Sequence, residues 1–508
     1  MRTQADCFRL NQRSLKPFSN GENNIEPGIN LCYIRPYSKR RKFMRNSTAL
    51  SIPWKLLSIL LCLLCLGSLL AISYSRPTTD EAAISSAPLT VIEGGLLIDG
   101  RRRAPISDSV IVIENGRIVN VGKRGTVKYP GAASRIDATG KTIIPGLINL
   151  HGHVGLTRGL EQDEKYYTRE NVREQLQQYL WYGVTTVLSL GTDRSLIFEI
   201  RDEQHRGDFP GARIYTAGRG FGVKNGYPPG SAAEAEGPFR VDTVQEARQR
   251  VRELAQKRVD MVKMWVDDNF GRAPKMKPEI YRAIIDEAHK NKLKVMVHLF
   301  YLDDAKSLVD AGLDGMAHSI RDREVDEELI GKLKARKVFA VPTLTRDEST
   351  FIYAESPSYL DEPFFKLRAL ANVIETIKSD AYKRRIQSSP DFPRLKAAFE
   401  MAKRNLKKLS DAGVPIAMGT DSGPPARFQG YFEHRELELM VESGLTPAQV
   451  LQAATKTAAE ALGAGAHLGT IERGKQADLI ILEANPLDDI RNTRKIHSVW
   501  QAGRMVNR

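Results

Sequence analysis

Two histidines spaced two residues apart, His151 and His153, end an apolar run that begins at Ile143. Residues two apart on a strand project to one side, so this pair can aim two imidazoles at a single point. The 508-residue chain has only nine histidines. His298 and His318 end two further apolar runs, and Asp421 ends a third, within Met418-Gly419-Thr420-Asp421. Lys263 lies inside Val262-Lys263-Met264-Trp265, where a buried ammonium is costly without a partner. Taken singly, each has an ordinary explanation. A strand-end histidine is usually a polar rim residue, a strand lysine usually faces solvent, and an aspartate before Ser-Gly usually forms a turn. Their joint placement favours a shared metal site, with the histidine, carboxylate and water ligation that suits zinc and related divalent ions.

The elements that must carry these residues alternate strand and helix. Strands are expected at 143–153, 185–190, 212–217, 261–266, 293–298, 315–318, 338–344 and 414–421, with helical stretches between them. Thr243-Val244-Gln245-Glu246 fits a capping box, and Pro278 suits a first helical turn. Eight such units predict an α/β fold, a (β/α)8 barrel of the TIM type, whose chemistry sits at the C-terminal strand ends. The pieces flanking it are β-rich. Asn115-Gly116 between two alternating runs signals a hairpin, and 477–482 and 496–503 also read as strands. The expected organisation is a barrel over 143–467 beside a small β-sandwich built from both chain ends, 88–142 and 468–508.

Residues 1–87 are different in kind. They hold 12 Lys/Arg against 5 Asp/Glu, half of the formal net charge of +14. Residues 1–48 are basic and suggest no fold of their own. Within 49–75, positions 56–74 carry no charge, enough length to cross a bilayer as a helix. Lys39-Arg40-Arg41-Lys42 and Arg45 precede it and favour a cytoplasmic N-terminus. A linker follows at 76–87. The expected localisation is export: an uncleaved membrane anchor, or a signal peptide cut near Ala71-Ile72-Ser73. A start at Met44 would give a conventional short leader. All four cysteines (Cys7, Cys32, Cys62, Cys65) precede the linker, so the globular part offers no thiolate. No aromatic-interleaved basic stripe marks a nucleic-acid binder. A membrane partner through 56–74 and a homo-oligomer stay open.

The combination of Pro-Gly-x-Ile-x-x-His-x-His, a lysine on the fourth strand, His298, His318 and Gly-Thr-Asp on the eighth resembles the amidohydrolase superfamily. Gly469-Thr470-Ile471-Glu472-Arg473-Gly474-Lys475-Gln476-Ala477-Asp478-Leu479 resembles that superfamily's return into its β domain, and Val341-Pro342-Thr343-Leu344 points to its imidazolonepropionase-related and prolidase-like group. The resemblance implies two divalent metal ions, zinc being the expected one. His151, His153 and Asp421 would hold the first ion and His298 and His318 the second. Lys263, carboxylated to a carbamate, would bridge them. Asp421 would then be the general base and later the acid to a leaving amine. Deaminase members carry a glutamate three residues after the strand-five histidine, where this chain has Tyr301. The implied activity is hydrolysis of a carbon–nitrogen amide bond in a small molecule or dipeptide. The alternatives are a mononuclear cyclic amidohydrolase like imidazolonepropionase and a membrane-tethered metal-binding module without turnover. Tyr301, Arg321 and Arg346, on loops beyond the strand ends, are the candidate substrate contacts.

Overall fold

The computed structural model describes residues 89–229 and 236–508. The basic segment, the apolar run at 56–74, the linker and all four cysteines lie outside the described residues. Among the described residues, no helix is long and apolar enough to cross a membrane.

A ring of parallel strands organises the chain. Leu147–Gly152, Val184–Ser189 and Arg213–Thr216 pair side by side, as do Val262–Trp265, Val295–His298, Gly315–Ala317 and Phe339–Val341. The two arcs meet where the Asp260 amide donates to Thr216 at 2.9 Å. The eighth position corrects the sequence expectation. Residues 414–421 form no continuous strand; they bridge their neighbours one bond at a time. Ala340 donates to Pro415 and Ala417 to Ala340, both at 2.9 Å, while Leu150 donates to Met418 at 3.0 Å. The ring is closed, but its last member is irregular because it must turn Asp421 inward.

The opening run also departs from expectation. Residues 143–153 are two strands, not one. Thr142–Pro145 pairs antiparallel with Leu479–Leu482, and Leu147–Gly152 enters the barrel. The switch takes one residue: Gly146 donates to Asp478 and Leu147 to Gly183, each at 3.0 Å. A Cβ on Gly146 would lie 2.3 Å from Thr185 Oγ1, so only glycine fits this crossing. The small unit therefore takes residues to 145. Its two sheets come from both chain ends and enclose Ile92, Ile111, Ile143, Leu479, Ile481 and Trp500. The hairpin forms at Asn115 (φ 50) and Gly116 (φ 77), the primed-turn geometry its sequence favours.

The barrel is covered by helices whose apolar faces its strands bury. Thr243 caps Val244–Gln256 by accepting from the Glu246 amide, and Pro278 opens Pro278–Lys290. The long stretch after the seventh strand is not a bare loop. It folds into Leu344–Glu348, Ala371–Lys378, Asp380–Gln387 and Phe392–Asp411. Tyr353, Tyr359, Phe365 and Ile374 of this insertion pack with Tyr182, Tyr431 and Phe432 as a core of their own.

Candidate metal centre

The C-terminal ends of the strands bring the predicted residues together. The rings of His151 and His153 have centroids 5.4 Å apart, His151 and His318 4.8 Å, and His298 and His318 4.4 Å. Asp421 Oδ1 lies 2.9 Å from His153 Nε2 and 3.8 Å from His151 Nε2. His151, His318 and Asp421 each place one ligand atom within 4.8 Å of the others, a group able to hold a metal ion. His153 and His298 flank that trio.

Lys263 stands on the strand beside Val295–His298, paired in register with Met296, and it is fully buried. Its amine has no hydrogen-bond partner, and neither has the buried Nδ1 of His151. Burial pushes the Lys263 amine down to about 7. The chain has made room for this side chain: a Cβ on Gly191 (φ +94) would meet Lys263 Cγ at 2.6 Å. A buried amine without a hydrogen-bond partner costs about 1–3 kcal/mol, so its place among the imidazoles fits a role at the candidate metal site and not one in packing.

The ring nitrogens are sorted by their neighbours. His153 Nδ1 meets Thr192 Oγ1 at 2.8 Å, His318 Nδ1 meets Thr343 Oγ1 at 2.6 Å, and His298 Nε2 meets Asp267 Oδ2 at 2.8 Å. Each leaves one nitrogen for an ion, the arrangement that orients metal-binding imidazoles. Burial pushes His298 down to about 4 and holds His151 and His318 well below the usual range, so these rings are neutral near pH 7 and can ligate. Burial opposes ionisation of Asp421, yet the Arg427 guanidinium and the hydrogen bond with His153 hold its carboxyl well below the usual carboxylate range. Arg427 donates to Asp421 Oδ2 at 2.8 Å. One oxygen is thus anchored and the other faces the histidines.

Three backbone positions here are strained. His318 (φ 80), Thr343 (φ 51) and Asp421 (φ 57) occupy the left-handed region, which costs a non-glycine residue about 1–2 kcal/mol. Glu433 supplies the compensation at Asp421. Its buried carboxylate accepts from Asn149 (2.6 Å), Thr420 (2.8 Å), Ser422 (2.7 Å) and the Gly430 amide (2.6 Å). Asn149 in turn accepts from the His151 amide at 2.8 Å. One carboxylate thereby braces both neighbours of Asp421 and the strand of His151. Glu433→Gln should weaken metal binding by about 10–100-fold, read by competition with a chelator. Unchanged affinity would mean that the loop holds itself.

The three candidate substrate contacts fare differently. Arg346 is largely buried, donates to Asp347 at 2.8 Å and brings Nε to 3.9 Å from Asp421. Arg321 is buried with both terminal nitrogens engaged, by Asp347 at 2.9 Å and the Leu299 carbonyl at 3.0 Å, which makes it a brace of the rim. The Tyr301 hydroxyl donates to Asp268 at 2.8 Å, one residue from the partner of His298. Sequence reasoning missed Asp267, Thr343, Arg427 and Glu433. The ring of Tyr227, on the loop after the third strand, lies 4.8 Å from that of His298. The acid two residues beyond the fourth strand was the available signal for Asp267.

Residues 142–506 match the model of the amidohydrolase family. The chain belongs to the amidohydrolase family. This amidohydrolase is 26% identical over 474 residues to ochratoxinase of Aspergillus niger, across 84% of this chain and 88% of that one. It is 25% identical over 418 residues to imidazolonepropionase of Geobacillus kaustophilus, across 74% and 84% of the two chains. A solved prolidase complexed with N-methylphosphonate-L-proline superimposes with a TM-score of 0.66 at 25% identity, covering 83% of this chain and all 100% of the other. The amidohydrolase is thus a hydrolase of carbon–nitrogen bonds with a candidate site for a divalent ion at the strand ends.

Proposed function

We propose that this chain hydrolyses a peptide-like amide at a binuclear centre. His151, His153 and Asp421 would hold one ion, His298 and His318 the other, and Lys263, once carboxylated, would supply a ligand to both. The observation that carries this reading is the Lys263 amine, wholly buried and unpartnered amid the four imidazoles. The neutral amine attacks carbon dioxide, a carbon–nitrogen bond forms, and a proton leaves to solvent. The anion so made supplies two ligand oxygens. Bound divalent ions lower the pKa of water and polarise a carbonyl.

The protein's own groups do the rest. Asp421 is ionised, so Oδ1 can take the proton of the attacking water and later give it to the leaving nitrogen. Arg427 fixes Oδ2, which keeps the carboxylate from rotating away. Thr192, Thr343 and Asp267 hold the imidazoles in one orientation. The relatives named above agree in kind, since prolidase and imidazolonepropionase name different amides. The imidazolonepropionase-like alternative, a single ion on the four histidines and Asp421, draws support from the closeness of His151, His318 and Asp421.

The test is a library of dipeptides, N-acyl amino acids and cyclic amides, assayed on the full chain with two ions bound, after chelation, and after restoring zinc with bicarbonate. Hydrolysis should vanish on chelation and return. A loaded protein that cleaves nothing in the library would be a metal-binding module instead.

A further inference from the structure

We propose that Glu436 is a positioning residue for His318, and through it for the second ion of the binuclear reading, as Glu433 is for the first. The assignment rests on that reading, and its test separates the two. The glutamates stand three apart on helix Tyr431–Glu442, so they leave it on one face. Both are fully buried. Their partners differ. Glu433 reaches the loop of Asp421 and the strand of His151. Glu436 reaches the exit of the seventh strand, just past Val341-Pro342-Thr343.

That exit is short of acceptors. Helix Leu344–Glu348 begins there, and the first amides of a helix have no partner within it. The residue before a helix ordinarily turns its own side chain onto one of them. Thr343 makes no such bond. Its backbone is left-handed (φ 51), and its hydroxyl is committed to His318 Nδ1 at 2.6 Å. Thr343, Leu344 and Thr345 are all buried, so bulk water does not stand in. Glu436, 92 residues after Leu344, takes the duty. Its Oε1 accepts from the Leu344 amide at 2.8 Å. Its Oε2 accepts from the Thr345 amide at 2.7 Å and the Thr345 hydroxyl at 2.8 Å. Burial pushes the carboxyl up to about 8, and with or without its proton each oxygen keeps a lone pair for one amide.

The consequence falls on His318. Its amide also leans on this exit, donating to the Val341 carbonyl at 2.9 Å. Without Glu436, the stranded amides are satisfied if Thr343 leaves the left-handed region and caps its own helix. That change relieves backbone strain, and it takes the hydroxyl away from His318. The ring then loses the bond that keeps its other nitrogen turned to an ion. The Thr345 hydroxyl also donates to the Thr420 carbonyl at 3.1 Å, beside Asp421. Thr420 is held independently by Glu433, so the larger effect belongs to His318.

The test titrates the metal-free full chain with zinc, in bicarbonate and against a competing chelator. Glu436→Gln puts one accepting oxygen where the carboxyl has two, which strands one backbone amide. It should weaken the zinc step that uses His318 by about 10–100-fold and leave the other step nearly unchanged. Glu433→Gln should weaken the other step. Thr343→Val removes the hydroxyl at His318 and should weaken the same step as Glu436→Gln. Combined, those two changes should cost no more than the larger alone, because both act through one bond. Glu436→Asp keeps both oxygens but draws them back by one carbon. It should move the same step in the same direction, and it serves if the glutamine variant does not fold. A carboxyl kept for the fold alone would lower the melting temperature of the metal-free chain with zinc affinity unmoved, or would add to Thr343→Val. Either result overturns the assignment. If zinc binds in one step that both glutamates support, the brace stands and the second ion falls. If two steps appear and Glu436→Gln moves neither, or both alike, the brace falls and the binuclear reading stands.

Discussion

Lys263→Ala should abolish metal retention and hydrolysis together. The substitution removes the proposed bridge, whose loss is more severe than that of an outer partner, which alone costs about 10–100-fold in affinity. Metal content by elemental analysis and turnover on the same preparation are the readouts. A second variant separates ligation from architecture. Lys263→Met keeps the stem and deletes the amine. In the metal-free state the wild-type amine is buried without a partner, a cost of about 1–3 kcal/mol. The metal-free Lys263→Met protein should therefore melt at the same temperature as wild type or higher, while binding metal poorly. A lysine kept for the fold would give the opposite order. Bicarbonate should speed reconstitution of wild type and do nothing for either variant. Normal turnover in Lys263→Ala with a single retained ion would make one ion on the histidines and Asp421 the better account.

Asp421→Asn should separate binding from chemistry. Asparagine tolerates the left-handed backbone at φ 57, so the turn survives. Its carbonyl oxygen can still accept from Arg427. Much of the metal should stay, whereas the proton has no carboxylate to receive it, and the rate should fall by a factor on the order of 10²–10⁴. The measurement is kcat at matched metal occupancy. A rate within threefold of wild type, in order of magnitude no loss at all, would assign the proton to another group. Alanine is the poorer probe, because it adds backbone strain of about 1–2 kcal/mol to the loss of the carboxylate.

The sequence made the strand ends legible because period-two patterning and a shortage of histidines both survive without a structure. His151, His153, His298, His318 and Asp421 stand at or just past the strand ends that their runs predicted, and Lys263 lies inside the fourth strand. The supports were not legible, since they come from elsewhere in the chain. Glu433 is an acid on a helix with nothing local to mark it, and its four donors lie at Asn149, Thr420, Ser422 and Gly430. The break at Gly146 was hidden because both halves of the run are apolar, and only the partner strand Leu479–Leu482 distinguishes them. His318 and Asp421 were placed on strands, whereas each sits just past regular structure in a conformation that propensity does not anticipate. The insertion showed its charge and its aromatics but not their pairing into a separate core.

The pairing of Thr142–Pro145 with Leu479–Leu482 also sets a clock. A ribosome delivers the chain N-terminus first, at about 5–20 residues per second. The strand that introduces His151 emerges about 330 residues before its partner, a wait of roughly 20–70 s at that pace. His151 and His153 leave the exit tunnel well before Asp421 and Glu433 exist. No shorter nascent chain carries the full set of donors, so early histidines offer only weak, incomplete chelation. Any ion that needs the whole donor set would therefore bind late, after Asp421 and its braces have been made.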